Sequence, residues 1–340
     1  MIRLGLIGFG HWGPNLARNF NTVDGCRLTA IADLSPKRRA LARRLYPHAR
    51  VVAGAAGLIR ARDIDAVAVA SPVSVHYSFA RAVLMSGKHA WIEKPMTTGL
   101  AQARDLVKIA ETRKRVLFVD HTMVYSSVVN RMRGLVAQGE LGKVYYYDAV
   151  RINLGLFQHD VNVIWDLAPH DFSIMEHVLG VRVRGVSALS RDCVGSGVED
   201  MAYLTLHCEG GLLAHFHLNW LSPVKIRRVI IGGSRKMLLW DEQNPDEKLR
   251  IYDKGVMVKA REEGLHRFHA SYRIGGMHAP VLESAEPLAT AVSCFLECIR
   301  KGTRPLTDGR AGARMVGLLE AADRSARRGG AVEDVAGLPG

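Results

Sequence analysis

The sequence predicts an α/β protein: an N-terminal, doubly wound parallel sheet, followed by an α+β domain with an open, mainly antiparallel sheet. Three observations carry this prediction. The chain has 340 residues, more than one hydrophobic core usually serves. Up to about residue 120, short apolar runs alternate with longer amphipathic ones, the pattern of βαβ units. Beyond about residue 143 the texture changes to extended segments separated by turns such as Glu209-Gly210-Gly211 and Ile231-Gly232-Gly233-Ser234, which join antiparallel neighbours. The boundary is placed between residues 1–122 and 123–340, with the C-terminal helices able to pack back on the first domain.

In the first domain, strands are expected at 2–8, 28–32, 66–70, 89–92 and 116–119, with helices at 15–20, 36–45, 75–86 and 100–112 between them. Pro36 suits the first turn of its helix, where a missing N–H is no loss. The second domain is expected to hold strands at 144–152, 183–189, 202–206, 212–218, 227–231, 236–240 and 249–252. One helix, 163–179, interrupts them, and 287–301 and 312–328 close the chain. Residues 254–285 mix charge, Gly and His without periodicity and read as a long loop, and the Gly-rich C-terminus reads as frayed.

Composition narrows the function. Hydrophobic residues at 48% and charged residues at 23% describe a chain able to bury a core. No run of about 18 apolar residues exists, so no membrane span is expected, and the apolar start is too short and Gly-rich for a secretion signal. Five scattered cysteines without a CxxC pair fit a reduced, cytoplasmic setting, with Cys294 and Cys298 as core-facing thiols rather than a metal pair. The formal charge of +13 favours anionic ligands, nucleotides among them. Lys37, Arg38, Arg39, Arg43 and Arg44 are interrupted by Ala and Leu at helical spacing, which reads as a solvated helix face and not as a nucleic-acid surface. His207, His215 and His217 read as a cross-strand polar row rather than a zinc site, and no hydrolase nucleophile motif stands in a credible context, so no metal is expected.

Three motifs carry chemistry. Gly8-Phe9-Gly10-His11-Trp12-Gly13 is GxGxxG between an apolar strand and a helix, the turn that lets a backbone approach a pyrophosphate in a Rossmann domain. Asp33, about 20 residues beyond, ends the second strand, where a carboxylate accepts the adenosine ribose hydroxyls and repels a 2′-phosphate. NAD is therefore expected, while Ser35, Lys37 and Arg38 leave NADP open. Ser71-Pro72 and Glu93-Lys94-Pro95 each follow a strand at its carboxyl end, where open α/β sheets bind ligands. Lastly, Asp166 and His170 lie four residues apart at the start of the helix 163–179, spaced as a base and the group that orients it, although Pro169 between them disturbs the geometry.

Taken in order, GxGxxG, Asp33, Ser71-Pro72, Glu93-Lys94-Pro95 in the context of Gly87-Lys88-His89, and the Asp166/His170 pair resemble the glucose-fructose oxidoreductase and inositol dehydrogenase family (Gfo/Idh/MocA) over nearly the whole chain. The resemblance implies an NAD(P)-dependent oxidoreductase with its active site between the two domains and a homodimer or homotetramer built through the C-terminal sheet. Lys94 and His170 would be the catalytic pair, assisted by Asp166. Cofactor contacts would come from Gly8, Phe9, Gly10, His11, Trp12, Asp33, Ser71, Pro72, His76, Glu93, Lys94 and Trp165. Substrate contacts would come from Lys94, Tyr125, Arg151, Asn162, Asp166, His170 and Arg227, with Arg228 as an alternative to Arg227 for substrate phosphates. The stretches Gly10 to Asn15 and Val161 to Asp171 resemble a branch acting on nucleotide sugars, which implies oxidation of UDP-N-acetylglucosamine to its 3-keto form for cell-surface polysaccharide or lipid A. Alternatives are a dehydrogenase or ketoreductase of a free polyol or another nucleotide sugar, and a nonenzymatic NAD(H)-sensing regulator. The family also holds dehydratases and glycosidases, so the fold alone does not settle the reaction.

Overall fold

The structure is a computed structural model that describes residues 1–155, 157–158, 160–258, 270–335 and 337–338. The chain divides into two compact units. The first comprises Met1–Ser126, Ala285–Glu320 and Gly337–Gly340; the second comprises Ser127–Ser284 and Ala321–Ala336.

The first unit is built on six parallel strands, β1 (Ile2–Ile7), β2 (Cys26–Ala32), β3 (Arg50–Val52), β4 (Ala66–Val69), β5 (His89–Glu93) and β6 (Leu117–Asp120), in the order β3-β2-β1-β4-β5-β6. All of β4, Ala-Val-Ala-Val, is buried, as a central strand covered on both faces must be. The helices between strands are α1 (Gly13–Thr22), α2 (Pro36–Leu45), α3 (Ala55–Arg60), α4 (His76–Met85) and α5 (Leu100–Thr112). Ser35 caps α2 by accepting the Arg38 N–H, and Pro36 occupies its first turn. Sequence periodicity missed β3 and α3, which are too short to show one.

α8 (Pro287–Lys301) completes this core. Its Phe295 packs edge-on against Trp91 of β5 at 5.6 Å, while Trp91 stacks on Phe118 of β6 at 4.2 Å and meets Phe20 of α1 at 5.3 Å. Such aromatic pairs contribute roughly 0.5–1.5 kcal/mol each beyond their burial. Cys298 lies in the same core.

Among the described residues, the second unit holds nine strands: β7 (Val144–Leu154), β8 (Val183–Arg191), β9 (Met201–Cys208), β10 (Leu213–Asn219), β11 (Leu221–Gly233), β12 (Met237–Asp241), β13 (Leu249–Val258), β14 (Ala270–His278) and β15 (Glu333–Asp334). Their order is β14-β13-β12-β11-β7-β10-β9-β8-β15, with β10 parallel to β7 and the other pairings antiparallel. Alternation sets two faces. Tyr147, Ala149, Leu204, Leu206, Ala214, Phe216, Val229 and Ile231 are buried on one side, where Phe172 of α7 (Val163–Leu179) meets Phe216 edge-on at 4.9 Å. The other face carries the histidine row: Tyr203 stacks on His217 at 4.5 Å, His215 bonds Thr205 at 3.3 Å and His207 bonds Ser187 at 3.2 Å.

The long loop expected at 254–285 is in part a strand pair, β13 with β14. Its exposed Val256, Tyr272 and Ile274 face solvent, so no buried alternation marked it. Residues 259–269 of that stretch lie outside those described. At the C-terminus, β15 pairs with β8, held by Arg324 and Arg328 on Glu333; residues 336, 339 and 340 of the tail expected to fray lie outside those described. The helix α6 (Ser127–Ala137) is a further addition, and α9 (Gly309–Arg327) starts three residues earlier than expected, capped by Asp308 through the Ala311 N–H. Among the described residues, no helix is long and apolar enough to cross a membrane.

Candidate active site

In the first unit the glycine turn is built as its spacing requires. Gly8 directly follows β1 at φ +94°, and a Cβ there would stand 2.3 Å from the Ala70 carbonyl oxygen. At Gly13 a Cβ would stand 2.3 Å from the Gly8 oxygen, whereas nothing lies within 4 Å of the corresponding point at Gly10. The first and third glycines thus serve close packing, and the second faces open space, which a pyrophosphate needs. α1 carries no acidic side chain in its first turn and no side-chain cap, so its dipole favours an anion there.

Asp33 lies over this turn, accepting the Phe9 N–H at 2.7 Å and the Ser35 N–H at 2.8 Å. A carboxylate so engaged still has lone pairs for ribose hydroxyls. Arg38 donates to the carbonyls of Phe9 and Gly10 at 3.1 and 2.9 Å, closing the turn from the other side. The Phe9 ring is fully buried against Tyr46, so what Phe9 presents to the turn is its backbone. His11 is exposed, and the Trp12 indole N–H reaches Asp120 at 3.4 Å.

The carboxyl ends of β4, β5 and β6 form one edge. His76 opens α4, buried, with Nδ1 2.9 Å from the Pro95 oxygen and Nε2 2.8 Å from the Ser71 oxygen, so it ties the turn after β4 to the turn after β5. Between those anchors stands Lys94, whose bond to Pro95 is cis. Three side chains on this edge hold buried polar atoms without a hydrogen-bond partner in the protein: Ser71 Oγ, Glu93 Oε1, and both ring nitrogens of His121. Burial, with the charges of Lys94 and Arg314, pushes His121 down to about 3, so its ring is neutral. Polar atoms left over beside an open glycine turn fit a dinucleotide that brings its own donors and acceptors. Asp120, Thr122 and His121 were missed by sequence reasoning. The signal was the same one that found Ser71 and Lys94: they directly follow or end a parallel strand.

In the second unit, α7 runs unbroken through Pro169, so Asp166 and His170 stand one turn apart on the same half-buried side. Proline removes only the rung to the Trp165 carbonyl. The Asn162 side chain caps α7 by accepting the Trp165 N–H at 3.1 Å.

Several expected substrate and cofactor contacts are otherwise occupied. Asn162 Nδ2 donates to Asp323 and Glu199, and the Trp165 indole N–H donates to Asp323 at 2.7 Å. The Tyr125 hydroxyl pairs with Thr307 Oγ1 at 3.1 Å inside the first unit's core, where burial raises it. Arg151 is buried and committed to Asp171 through Nε and Nη2, both at 2.8 Å. Burial opposes its charge, but Asp171, with Glu242 further away, outweighs that and keeps the guanidinium protonated. Its cross-strand neighbour Arg227 pairs with Glu242 at 2.7 Å, and Arg228 pairs with Asp241 at 2.6 Å. The three arginines expected to take phosphates are each matched by a carboxylate within the fold.

A pyrophosphate-ready turn, a ribose carboxylate and an ordered lysine at the strand ends define a dinucleotide-dependent oxidoreductase of the Rossmann class. Residues 2–121 match the Gfo/Idh/MocA oxidoreductase family with its NAD-binding Rossmann fold, and residues 129–239 match the Gfo/Idh/MocA C-terminal domain; the chain belongs to this family. Among its relatives, UDP-N-acetylglucosamine 3-dehydrogenase of Acidithiobacillus ferrooxidans is 26% identical over 93% of this chain and 94% of that protein. The glycosyl hydrolase family 109 protein of Shewanella amazonensis is 30% identical, but over 45% of this chain and 35% of its own length. A solved oxidoreductase from Magnetospirillum magnetotacticum superposes with a TM-score of 0.80 at 26% identity, covering 94% of this chain and 99% of that one.

Proposed function

We propose that the protein oxidises a sugar hydroxyl to a ketone by hydride transfer to NAD, acting on a nucleotide sugar and most specifically on UDP-N-acetylglucosamine at its 3-position. The observation that carries the chemistry is the Asp166/His170 pair on one side of α7 in a chain whose other unit presents Lys94 at the end of β5. His170 takes the hydroxyl proton, Asp166 orients and supports the imidazole, and Lys94 stabilises the developing alkoxide and passes a proton on. Bound NAD supplies the hydride acceptor. Likeness to the Acidithiobacillus enzyme over nearly the full length of both chains supports the substrate.

NAD is preferred over NADP because Asp33 would repel a 2′-phosphate, although Arg38 stands close enough to the turn to moderate that preference. The working assembly is a cytoplasmic homodimer or homotetramer formed through the open face of the nine-stranded sheet. A second reading, an uncharged polyol or free sugar, is favoured by the carboxylate partners of Arg151, Arg227 and Arg228.

The test follows reduced-nicotinamide absorbance with NAD or NADP and a panel of UDP-N-acetylglucosamine, other nucleotide sugars, inositol and free hexoses. Reduction of NAD by UDP-N-acetylglucosamine alone is expected, with an aminotransferase trapping the ketone if equilibrium is unfavourable. Reduction by inositol or a hexose alone replaces the first reading with the second.

A further inference from the structure

The six-stranded sheet of the first unit has a second end. Its carboxyl ends hold the glycine turn and Lys94; the opposite end, where β5 begins at His89 and β6 at Leu117, borders a cavity of about 540 Å³. That volume is ordinary for a small-molecule site. Val107 and Ala110 of α5, Ile299 of α8 and Pro305 give the cavity an apolar wall. Its charge is one-sided: the cations Lys114, Arg115, Arg304 and Arg310 line it with only two carboxylates, Glu111 and Asp308. Glu111 serves both Arg304 at 3.5 Å and Arg310 at 2.8 Å, and Asp308 caps α9 through the Ala311 N–H at 2.9 Å. Among the described residues, the Lys114 and Arg115 side chains have no ion-pair partner.

Two further details mark this wall. Lys114 stands at φ +53°, the one positive φ outside glycine among the described residues, so a lysine is kept where glycine would fit without strain. Arg113 already caps α5 and offsets its dipole, which leaves that lysine without a structural reason. His89 adds a directed donor. Its Nδ1 accepts the Val116 N–H at 3.0 Å. Burial, with the charge of Arg115, pushes the ring down to about 4, so at neutral pH it is uncharged and carries its hydrogen on Nε2. Among the described residues that N–H has no acceptor.

We propose that this cavity is a second ligand site, apart from the dinucleotide turn, for a small phosphate monoester with an apolar body. Lys114, Arg115 and the His89 Nε2–H take the phosphate, and the body lies against Val107, Ala110, Ile299 and Pro305. The excess of cations over carboxylates suits a group that carries a charge of about −1.5 to −2 at neutral pH. The apolar wall favours an organic ester over the bare ion, because it removes apolar surface from water.

The test is isothermal titration of the full-length protein, in saturating NAD, with naphthyl phosphate, inorganic phosphate and naphthol, as wild type, Arg115→Ala and Lys114→Gly. Wild type is expected to bind one naphthyl phosphate, at least about tenfold more tightly than inorganic phosphate or naphthol, since charge and apolar body both contribute. Each variant is expected to weaken that binding at least about tenfold, the order of one charge-assisted hydrogen bond. Lys114→Gly keeps the test clear of folding: glycine suits that φ, so urea unfolding should find it close to the wild-type midpoint. Lack of saturable naphthyl phosphate binding overturns the proposal. So does binding seen only when NAD is left out, which places the anion at the glycine turn. Binding unchanged in both variants, or matched by inorganic phosphate, overturns it as well.

Discussion

Arg151 of β7 and Asp171 of α7 form a buried, two-armed ion pair, with both bonds at 2.8 Å, and Asp171 directly follows His170. The pair fixes the helix that carries the candidate base to the sheet beneath it. Removing one partner leaves the other charge buried and uncompensated, which typically costs about 3–5 kcal/mol. Arg151→Ala and Asp171→Ala are each expected to lower stability by that order in urea unfolding. A variant with unchanged stability but a raised KM for a nucleotide sugar would return Arg151 to the phosphate role.

Lys94→Ala and His170→Ala are expected to fold, to bind NAD and to lose about 100-fold to 10,000-fold in kcat, the range of positioned acid–base groups. Circular dichroism and cofactor titration check the first two properties and steady-state rates the third. Asp166→Asn should fall less far, since it orients the base and does not itself take the proton. Full activity in both alanine variants would remove them from the mechanism.

The parts legible in the sequence are those whose cause is local. GxGxxG, Asp33 and Glu93-Lys94-Pro95 announce themselves because a tight turn and a strand end constrain consecutive residues, and the long periodic helices follow from their apolar spacing. The roles of Arg151, Arg227 and Asn162 were not legible, because each depends on a carboxylate at least 15 residues away: Asp171, Glu242 and Asp323. An arginine looks alike in sequence whether it awaits a phosphate or already holds an aspartate. Asp120 carried the strand-end signal and was overlooked; only its tie to the Trp12 indole N–H, 108 residues away in the sequence, was beyond sequence reasoning.

Acid sensitivity follows from His121. Burial depresses it to about 3 in the folded protein, while the unfolded chain has the ordinary value of about 6.5. Below that ordinary value the unfolded state binds the proton and the folded state does not, so stability present at neutral pH is lost as pH falls towards 3. The slope from this one group is at most ~1.4 kcal/mol per pH unit. Glu93 acts in the opposite sense: with its folded value raised, its contribution is greatest in acid and lost as pH rises. His121→Phe should therefore flatten the acid limb of a stability-against-pH curve, and Glu93→Gln should lessen the loss of stability as pH rises above the ordinary glutamate value of 4.5. Parallel curves for His121→Phe and wild type between pH 6 and pH 4 would refute the first assignment.

The glycine turn separates folding from cofactor binding in one experiment. At Gly8 a side chain would need both a positive φ and a place already filled by the Ala70 carbonyl, so Gly8→Ala is expected to destabilise the fold and to abolish NAD binding with it. At Gly10 the same methyl enters open space and strains nothing in the protein alone. Gly10→Ala should unfold at the wild-type denaturant concentration, within about 0.5 kcal/mol, yet bind NAD at least about tenfold more weakly, because the methyl stands where the pyrophosphate must approach. Isothermal titration with NAD, paired with urea unfolding of the same samples, reads both quantities. If Gly10→Ala binds NAD as tightly as wild type, the pyrophosphate does not pass over that glycine and the cofactor site must be drawn elsewhere along the strand ends.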